Sequence, residues 1–412
     1  MKSKIALFAT AIILNLSACS DDDEPQTQPD PDPLIPRRDI VLSNEEKTAL
    51  NGMTNFSLDL LNRISAGSSD NVAISPLGLT TSMAMLTNAA SGNTRTKMME
   101  ITGVESVDAM NSLHRTLLSE LPGLCTRVDL KIAQSLWLDK NFACKSDFTR
   151  TASETFSAGV FSYSRGTEQA RQSINKWCET HTGGTFSDVV RDNPEYDFAI
   201  ISASVFNGKW AKEFKEADTS SDKFFDADGI LIDRVPTMHQ TISALYNETY
   251  GYQSVILPYG NEAFRMTIIL PAKSSSVSNV IALLHDGELT AVRHPENGDT
   301  SVNLSLPRFT ATYFSNLSGQ LSEMGLADIF TSDAEFGNLT ESNVYLGSFN
   351  HGMRIKTDES GTKVETITYI PGMTTAPGPS VKMTVDRPFV FLIDEVSTGA
   401  ILYAGVINDP TK

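Results

Sequence analysis

The sequence has few cysteines and no close cysteine pairs. Its 412 residues contain four, Cys19, Cys125, Cys144 and Cys178, without the spacing of metal ligands. If Cys19 serves the export signal described below, three of the four remain, and an odd number leaves at least one thiol free. A disulfide framework is therefore not expected to hold this fold together.

Basic residues are also scarce. The chain has 33 Lys and Arg against 50 Asp and Glu, a formal net charge of −17, which argues against a nucleic-acid partner because phosphate binding needs clustered positive charge. The six histidines are scattered, and the HExxH, G-x-S-x-G and phosphate-loop motifs are missing. We therefore predict no catalytic site, no metal and no cofactor: the protein is not expected to be an enzyme.

The N-terminus has the layout of an export signal. Lys2 and Lys4 precede an apolar run, residues 5–16, that is too short to span a bilayer as a helix. The run ends in Leu16-Ser17-Ala18-Cys19, which resembles the bacterial lipobox, whose cysteine is acylated. We predict a lipoprotein signal peptide over residues 1–19 with the lipid on Cys19. The alternative is an ordinary signal peptide with a chance cysteine.

An acidic and proline-rich stretch follows. Residues 20–24 read Ser-Asp-Asp-Asp-Glu, which resembles an export signal to the outer face in some Gram-negative lipoproteins, or is a solvated spacer. We predict that residues 20–39 form a disordered tether and that one folded domain spans residues 40–412. The expected location is the outer membrane, at the cell surface, with the N-terminal lipid as the only membrane contact.

The body has the pattern of a mixed α/β (α+β) domain. Phe56, Leu60 and Ile64 recur at helical spacing, and residues 79–89 read as a buried helix. Further helices are predicted over 170–180, 277–284 and 317–324. Runs rich in β-branched and aromatic residues predict strands over 132–138, 199–206, 254–257, 266–270, 301–306 and 389–393. This mixed order favours α+β over a doubly wound parallel sheet.

Several segments, in order along residues 45–410, together resemble the serpin family. They are Asn71-Val72-Ala73-Ile74-Ser75-Pro76, Ile174-Asn175-Lys176-Trp177, Phe206-Asn207-Gly208-Lys209-Trp210, Leu304-Ser305-Leu306-Pro307-Arg308-Phe309, Asp358-Glu359-Ser360-Gly361-Thr362 and Arg387-Pro388-Phe389. The resemblance implies three β-sheets, eight to nine helices and an exposed reactive loop at about residues 359–385. It also implies a monomeric inhibitor that forms a covalent complex with a target protease.

The family's mechanism needs the N-terminal arm of the cleaved loop to enter the main sheet as a new strand. Alternate residues of that arm then face the core. Counted from Gly361, the set is uncharged and β-branched: Thr362, Val364, Thr366, Thr368 and Ile370. The opposite set holds both charges, so the arm suits insertion. Val364 departs from the small residues usual there, and its extra volume costs about 1–3 kcal/mol.

The resemblance places the reactive bond at Thr375–Ala376, with Met373–Thr374 and Thr374–Thr375 left open. These residues suit elastase-like, subtilisin-like and some papain-like proteases. No Arg or Lys occurs between Lys363 and Lys382, which excludes a trypsin-like target. The alternative function is a non-inhibitory scaffold that acts as a surface binding module.

Structural positions also carry over from the family. The hinge is Glu359, Gly361, Thr362, Val364 and Thr366, and we predict an ion pair between Glu359 and Arg308. The region where the sheet opens is assigned to Ser75, Ser202, His351, Arg308 and Trp210. The usual asparagine partner of His351 is replaced by Ser202, and Gly78 stands where a second serine is usual. We therefore expect rearranged hydrogen bonds around His351.

Overall fold

The computed structural model describes residues 33–296, 298–362 and 380–412. The compact body runs from Leu34 to Lys412, so it takes in Leu34 to Asp39, which the sequence assigned to the tether. The predicted signal peptide, Cys19 and the tether up to residue 32 lie outside the described residues. Within the described ranges, no helix has the length and apolar character needed to cross a bilayer.

The described residues contain nine α-helices, in agreement with the expected eight to nine. They are α1 (Asn44–Ser65), α2 (Pro76–Ala89), α3 (Gly92–Ile101), α4 (Val107–Glu120), α5 (Ser146–Phe156), α6 (Glu168–His181), α7 (Val277–Leu283), α8 (Leu289–Arg293) and α9 (Ser318–Leu321). The helices predicted over residues 79–89, 170–180, 277–284 and 317–324 correspond to α2, α6, α7 and the α9 region.

The first helix shows how the sequence produces these elements. Ser43 and Glu46 form a capping box: the Glu46 N–H donates to the Ser43 hydroxyl at 3.2 Å, and the Ser43 N–H donates to the Glu46 carboxylate at 2.8 Å. From there Met53, Phe56 and Leu60 recur at helical spacing and are buried in the main core. The amphipathic first helix predicted from the sequence is confirmed.

A nine-stranded sheet forms one side of the core. Its order is β1-β15-β14-β8-β7-β6-β9-β13, with β5 also paired to β6. The long strand β6 pairs with β7 near its end and with β9 before that, so it belongs to two of the three predicted sheets. The strands are β1 (Val72–Ile74), β5 (Ser220–Phe225), β6 (Leu231–Glu248), β7 (Tyr252–Tyr259), β8 (Phe264–Pro271), β9 (Asp299–Pro307), β13 (Val381–Thr384), β14 (Phe389–Glu395) and β15 (Ile401–Ile407).

The second sheet, called here the central sheet, has six strands in the order β10-β11-β12-β4-β2-β3. They are β2 (Val128–Asp139), β3 (Gly159–Tyr163), β4 (Phe198–Lys209), β10 (Phe309–Asn316), β11 (Asn350–Asp358) and β12 (Gly361–Thr362). The strands predicted over residues 132–138 and 199–206 are confirmed as parts of β2 and β4. Together the elements form the mixed α/β architecture expected from the sequence.

The central sheet is covered on both faces. On β4, Phe198, Ile200 and Phe206 belong to the main core, beneath the sheet. The alternate residues Ala199, Ile201 and Ala203 instead pack in a second, smaller cluster with residues of α6. Because side chains alternate along a strand, even-numbered positions of β4 face the main core.

Cys125 and Cys178 are buried free thiols, and Cys144 is half-buried.

Candidate functional site

The central sheet is open between β4 and β11. The two-residue strand β12 lies between them at one end, antiparallel to both, so β4 and β11 run parallel to each other. Away from β12, no pairing joins β4 to β11 within the described ranges. A cavity of about 1180 Å³ occupies this gap, lined by the facing residues of both strands. The gap has room for one further strand, antiparallel to both neighbours.

The described part of the hinge lies within Asp358–Thr362, which turns the chain from β11 back into the gap and is called the hinge from here on. Gly361 pairs with Asp358 on β11 and with Lys209 on β4, and Thr362 pairs with Thr357 and Gly208. Gly361 has φ of +147°, and a Cβ there would lie 2.0 Å from the Gly208 carbonyl oxygen. Glycine is therefore required at residue 361 for the hinge to pair with β4.

The side chain of Thr362 points into the main core. It is 3% exposed, and its hydroxyl lies 2.7 Å from the Tyr259 hydroxyl and 3.4 Å from that of Thr357. The Tyr259 ring stacks on Trp210 with centroids 4.5 Å apart. Burial raises the pKa of the Tyr259 phenol, against the opposing hydrogen bond to Thr362, so the phenol stays neutral. The buried, core-facing position predicted for Thr362 is confirmed.

Sequence reasoning missed Tyr259. Its spacing from Val255 and Leu257 puts it on the core-facing side of β7, which is a detectable signal for a buried residue. Which hinge residue its hydroxyl meets depends on how β7 packs against the hinge. No local pattern carries that information.

The predicted ion pair between Arg308 and Glu359 is confirmed. The Arg308 Nε and Nη2 atoms donate to Glu359 Oε1 at 2.8 and 2.5 Å, and the Thr219 hydroxyl donates to the same oxygen. The Glu359 side chain is 6% exposed and that of Arg308 is 42% exposed. Burial raises the pKa of Glu359, but the hydrogen bonds from Arg308 and Thr219 outweigh it and leave the pKa lowered.

Backbone contacts fix the rest of the hinge. Trp210 donates from its indole Nε1 to the Asp358 carbonyl at 2.9 Å and from its backbone N–H to the Ser360 carbonyl at 2.9 Å. The Phe214 N–H donates to the Glu359 carbonyl at 2.9 Å. Trp210 and Arg308 therefore hold the hinge from two sides.

A polar cluster lies farther along the gap. The Ser75 N–H donates to His351 Nε2 at 3.0 Å, and the Ser75 hydroxyl donates to the Leu402 carbonyl at 3.0 Å. Burial lowers the pKa of His351 to about 4, which agrees with a neutral ring that accepts through Nε2. A Cβ on Gly78 would lie 3.1 Å from the Ser75 hydroxyl oxygen and 3.3 Å from that of Ser202. Ser75 and Ser202 therefore both lie next to this glycine.

Gln134 also occupies a position that was not predicted from the sequence. It pairs with Ser202 across β2 and β4 and is 3% exposed, yet neither polar atom of its side chain has a hydrogen-bond partner in the described part of the chain. A buried polar group without a partner costs free energy. The Gln134 side-chain amide is therefore unsatisfied within the part of the chain that the structure describes.

The residues assigned from sequence to the sheet-opening region form two groups rather than one. Trp210 and Arg308 contact the hinge, whereas Ser75, Ser202 and His351 lie in the polar cluster. Ser202 and Trp210 are eight residues apart in sequence, about 26 Å along an extended strand. The remaining predicted positions lie outside the described residues: Cys19, Val364, Thr366, Met373, Thr374, Thr375 and Ala376.

The chain is similar to known proteins over nearly all of the body. A family model described as "Serpin (serine protease inhibitor)" matches residues 51–410. An uncharacterized serpin-like protein of Thermococcus kodakarensis is 27% identical, over 90% of this chain and 88% of its own. The human leukocyte elastase inhibitor is 26% identical, over 87% and 98%. The solved native state of the thermophilic serpin tengpin has a TM-score of 0.79 at 25% identity, covering 91% of this chain and 97% of tengpin.

Proposed function

The chain belongs to the serpin family, whose members are mostly protease inhibitors, and from that premise we propose that it inhibits endopeptidases as a suicide substrate. The observation that carries the proposal is the open gap between β4 and β11, with Gly361 and Thr362 already paired at one end of it. Cleavage of the reactive loop would free the arm after Thr362 to fill the gap as a strand antiparallel to both neighbours. Each strand addition satisfies two rows of backbone hydrogen bonds.

The register of the hinge sets the contacts of the inserted arm. Thr362 faces Gly208 on β4 and Thr357 on β11, and an antiparallel strand keeps that register unless a bulge interrupts it. In the inserted arm the next core-facing residues would each lie between one residue of β4 and one of β11. Val364 would lie between Phe206 and Ile355, Thr366 between Ser204 and Met353, and Thr368 between Ser202 and His351. Val364 would thus enter an apolar environment. Thr368 would bring a hydroxyl to the polar cluster, between Ser202 and His351.

The two charged, outward-facing residues of the arm would have opposing effects on its insertion into the sheet. In the same register Glu365 falls opposite Arg354, which is exposed on β11, and Lys363 falls opposite the exposed Lys356. A cross-strand pair of opposite charge stabilises a sheet by about 0.2–1 kcal/mol and a like pair opposes it by a similar amount. The two pairs nearly cancel, so the core-facing set decides whether the arm inserts.

The proposed targets are proteases with shallow or apolar primary pockets. Thr375–Ala376, or the neighbouring bonds after Met373 and Thr374, would be cut, and the segment between Lys363 and Lys382 offers no basic residue to a trypsin-like enzyme. Elastase-like and subtilisin-like serine proteases, and some papain-like cysteine proteases, fit this composition. The relative named leukocyte elastase inhibitor supports the choice.

We further propose that the protein is an exported lipoprotein with its lipid on Cys19, a monomer displayed at the outer surface of the cell. The lipobox-like Leu16-Ser17-Ala18-Cys19 and the acidic stretch after it support this location. Labelling with a radioactive fatty acid tests it: the wild type should be labelled, and Cys19→Ser should not be.

A gel assay tests the inhibitory function. The protein without its first 19 residues is incubated with an elastase, a subtilisin and papain. We expect a complex that survives denaturation, together with a cleaved form that melts at a higher temperature than the intact protein. Clean cleavage without complex or stabilisation would instead support a non-inhibitory scaffold, the alternative that the bulk of Val364 favours.

Two adjacent substitutions give a matched control. Thr362→Glu puts a carboxylate at a position that is 3% exposed, so insertion should fail and the protein should become a plain substrate. Lys363→Glu changes a residue of the outward-facing set and should leave complex formation intact. Equal loss of complex in both variants would contradict the assigned register.

A further inference from the structure

The extended segment Leu34–Leu42, called here the N-terminal strap, crosses the surface of the body before α1 begins. One end of the strap is part of the core: Ile40 is 6% exposed and Leu42 is 5% exposed. The Ile40 N–H donates to the Ser397 hydroxyl at 2.8 Å, in the turn between β14 and β15. This end of the strap is therefore fixed by burial.

The middle of the strap is fixed by charge. Arg38 donates to the Glu120 carboxylate at 2.5 Å and to the Glu120 carbonyl at 3.3 Å, at the end of α4. The neighbouring Arg37 donates to the Glu262 carbonyl at 3.3 Å. Both arginines are partly exposed, with side chains 35% and 54% accessible for Arg37 and Arg38. These contacts are weaker than those of the buried end.

The other end of the strap reaches the turn Gly260–Glu262, between β7 and β8. Asn261 donates through Nδ2 to the Ile35 carbonyl at 3.1 Å and to the Leu124 carbonyl at 2.8 Å. The Leu34 side chain lies 3.7 Å from where a Cβ of Gly260 would be. The turn is thus held between the strap and the chain that follows α4.

This turn is directly bonded to the strand that pairs with the hinge. The Gly260 N–H donates to the Lys209 carbonyl at 2.9 Å, and Lys209 is the partner of Gly361. Tyr259, whose hydroxyl contacts Thr362, immediately precedes the turn. Two short routes therefore lead from the strap to the hinge, one through Lys209 and one through Tyr259.

From this chain of contacts we infer that the N-terminal strap braces the hinge, so that the local stability of the hinge depends on whether the strap is seated. The brace acts on the resting protein and does not depend on protease inhibition. Because its far end is held by exposed contacts and lies next to the N-terminal segment, the strap can detach there while Ile40 and Leu42 stay buried. A seated strap keeps Gly361 and Thr362 paired, and a detached strap lets them leave the sheet more often.

Hydrogen exchange of the intact protein tests this inference. In the variant Arg37→Gln/Arg38→Gln, amides in residues 208–211, 258–262 and 358–362 should exchange about fivefold faster than in the wild type, the effect expected from losing partly exposed ionic contacts. Residues 389–392 of β14 are buried, and residues 390–392 pair with residues 267–269 of β8 rather than with the turn, so the exchange of this segment should not change. Glu120→Gln, which removes the negative charge that Arg38 contacts but keeps the backbone carbonyl, should give the same pattern with a smaller amplitude.

The matched control is Arg63→Gln. Arg63 pairs with Asp59 on α1 at 3.1 Å, with side chains 39% and 37% accessible, close to the exposure of the Arg38–Glu120 pair. This control should leave all the segments at wild-type rates. The inference is overturned if the strap variants leave the hinge segments unchanged, or if they accelerate residues 389–392 equally, which would mean a general loss of stability. Since the assay contains no protease, failure of the proposed inhibition would not affect its outcome.

Discussion

The contact between Tyr259 and Thr362 allows a direct test of how the hinge is held. Tyr259 is 0% exposed and Thr362 is 3% exposed, and their hydroxyl oxygens are 2.7 Å apart. Replacing one partner leaves the other hydroxyl buried without its hydrogen bond, which costs about 1–3 kcal/mol. Replacing both by groups of the same shape removes the need for the bond and is nearly neutral.

The magnitude differs between the two single variants. Thr362→Val leaves the Tyr259 hydroxyl without a hydrogen-bond partner among the described residues. We therefore expect the free-energy cost of this variant to be about 3 kcal/mol, the upper end of the range of about 1–3 kcal/mol. Tyr259→Phe leaves the Thr362 hydroxyl with Thr357 at 3.4 Å, a long contact that compensates in part. We therefore expect the hinge to open roughly 150-fold more often in Thr362→Val and about fivefold more often in Tyr259→Phe.

Hydrogen exchange of residues 358–362 measures this opening directly, and the double variant completes a thermodynamic cycle. The double variant should exchange more slowly than Thr362→Val alone, because it leaves no hydroxyl unpartnered. Strictly additive effects would refute the reasoning, since they would mean that the two hydroxyls do not interact. Thr357→Val tests the weaker contact and should have little effect in the wild-type background.

Three further predictions concern glycine, pH and a buried ion pair. Gly361→Ala places a Cβ 2.0 Å from the Gly208 carbonyl oxygen and should expel the hinge from the sheet. Hydrogen exchange of residues 358–362 should then be rapid. The control Gly347→Ala, whose Cβ would have no atom within 4 Å, should leave the exchange of these residues unchanged. Burial lowers the pKa of His114 and of His351 to about 4, so on acidification the unfolded chain binds protons before the folded protein does. The free energy of unfolding should therefore fall as the pH drops from 6.5 to 4. Thermal melting measures this fall, and the double variant His114→Gln/His351→Gln should show a weaker dependence on pH. Asp394→Asn removes the charge that Arg265 binds at 3.0 and 3.1 Å, and both of these side chains are under 5% exposed. In a urea titration this variant should lower the free energy of unfolding by about 3–5 kcal/mol. The exposed Asp59→Asn should change that free energy little.

The resting state has consequences for the proposed trapping mechanism. A strand that enters an open gap must find its register, and a slip by one residue would turn the charged set of the arm toward the core. Here the first two residues are already paired on both sides, so the register is set before any cleavage. The hinge contacts of Tyr259, Trp210 and Arg308 therefore bear on the accuracy of insertion as much as on the stability of the intact protein.

Much of the fold was predictable from the sequence because its signals are local. Amphipathic spacing predicted α1, β-branched runs predicted β2 and β4, and ordered family motifs predicted the architecture around them. The alternation counted from Gly361 predicted that Thr362 faces the core, since a strand has a fixed period of two. The Arg308–Glu359 pair was also predicted, because both residues stand in recognisable segments.

Other features depend on segments that are distant in sequence and adjacent only in the folded protein. Tyr259 of β7 meets Thr362 of the hinge, and Gln134 of β2 pairs with Ser202 of β4 while its side-chain amide has no hydrogen-bond partner among the described residues. Residues Leu34 to Asp39 of the N-terminal strap were predicted to belong to a disordered tether because the stretch 20–39 is acidic and rich in proline, yet they are part of the compact body, where Arg38 contacts Glu120 and Ile35 contacts Asn261. Local composition determines which segments become helices and strands, whereas the partners of a buried hydroxyl or of an extended segment follow from long-range packing.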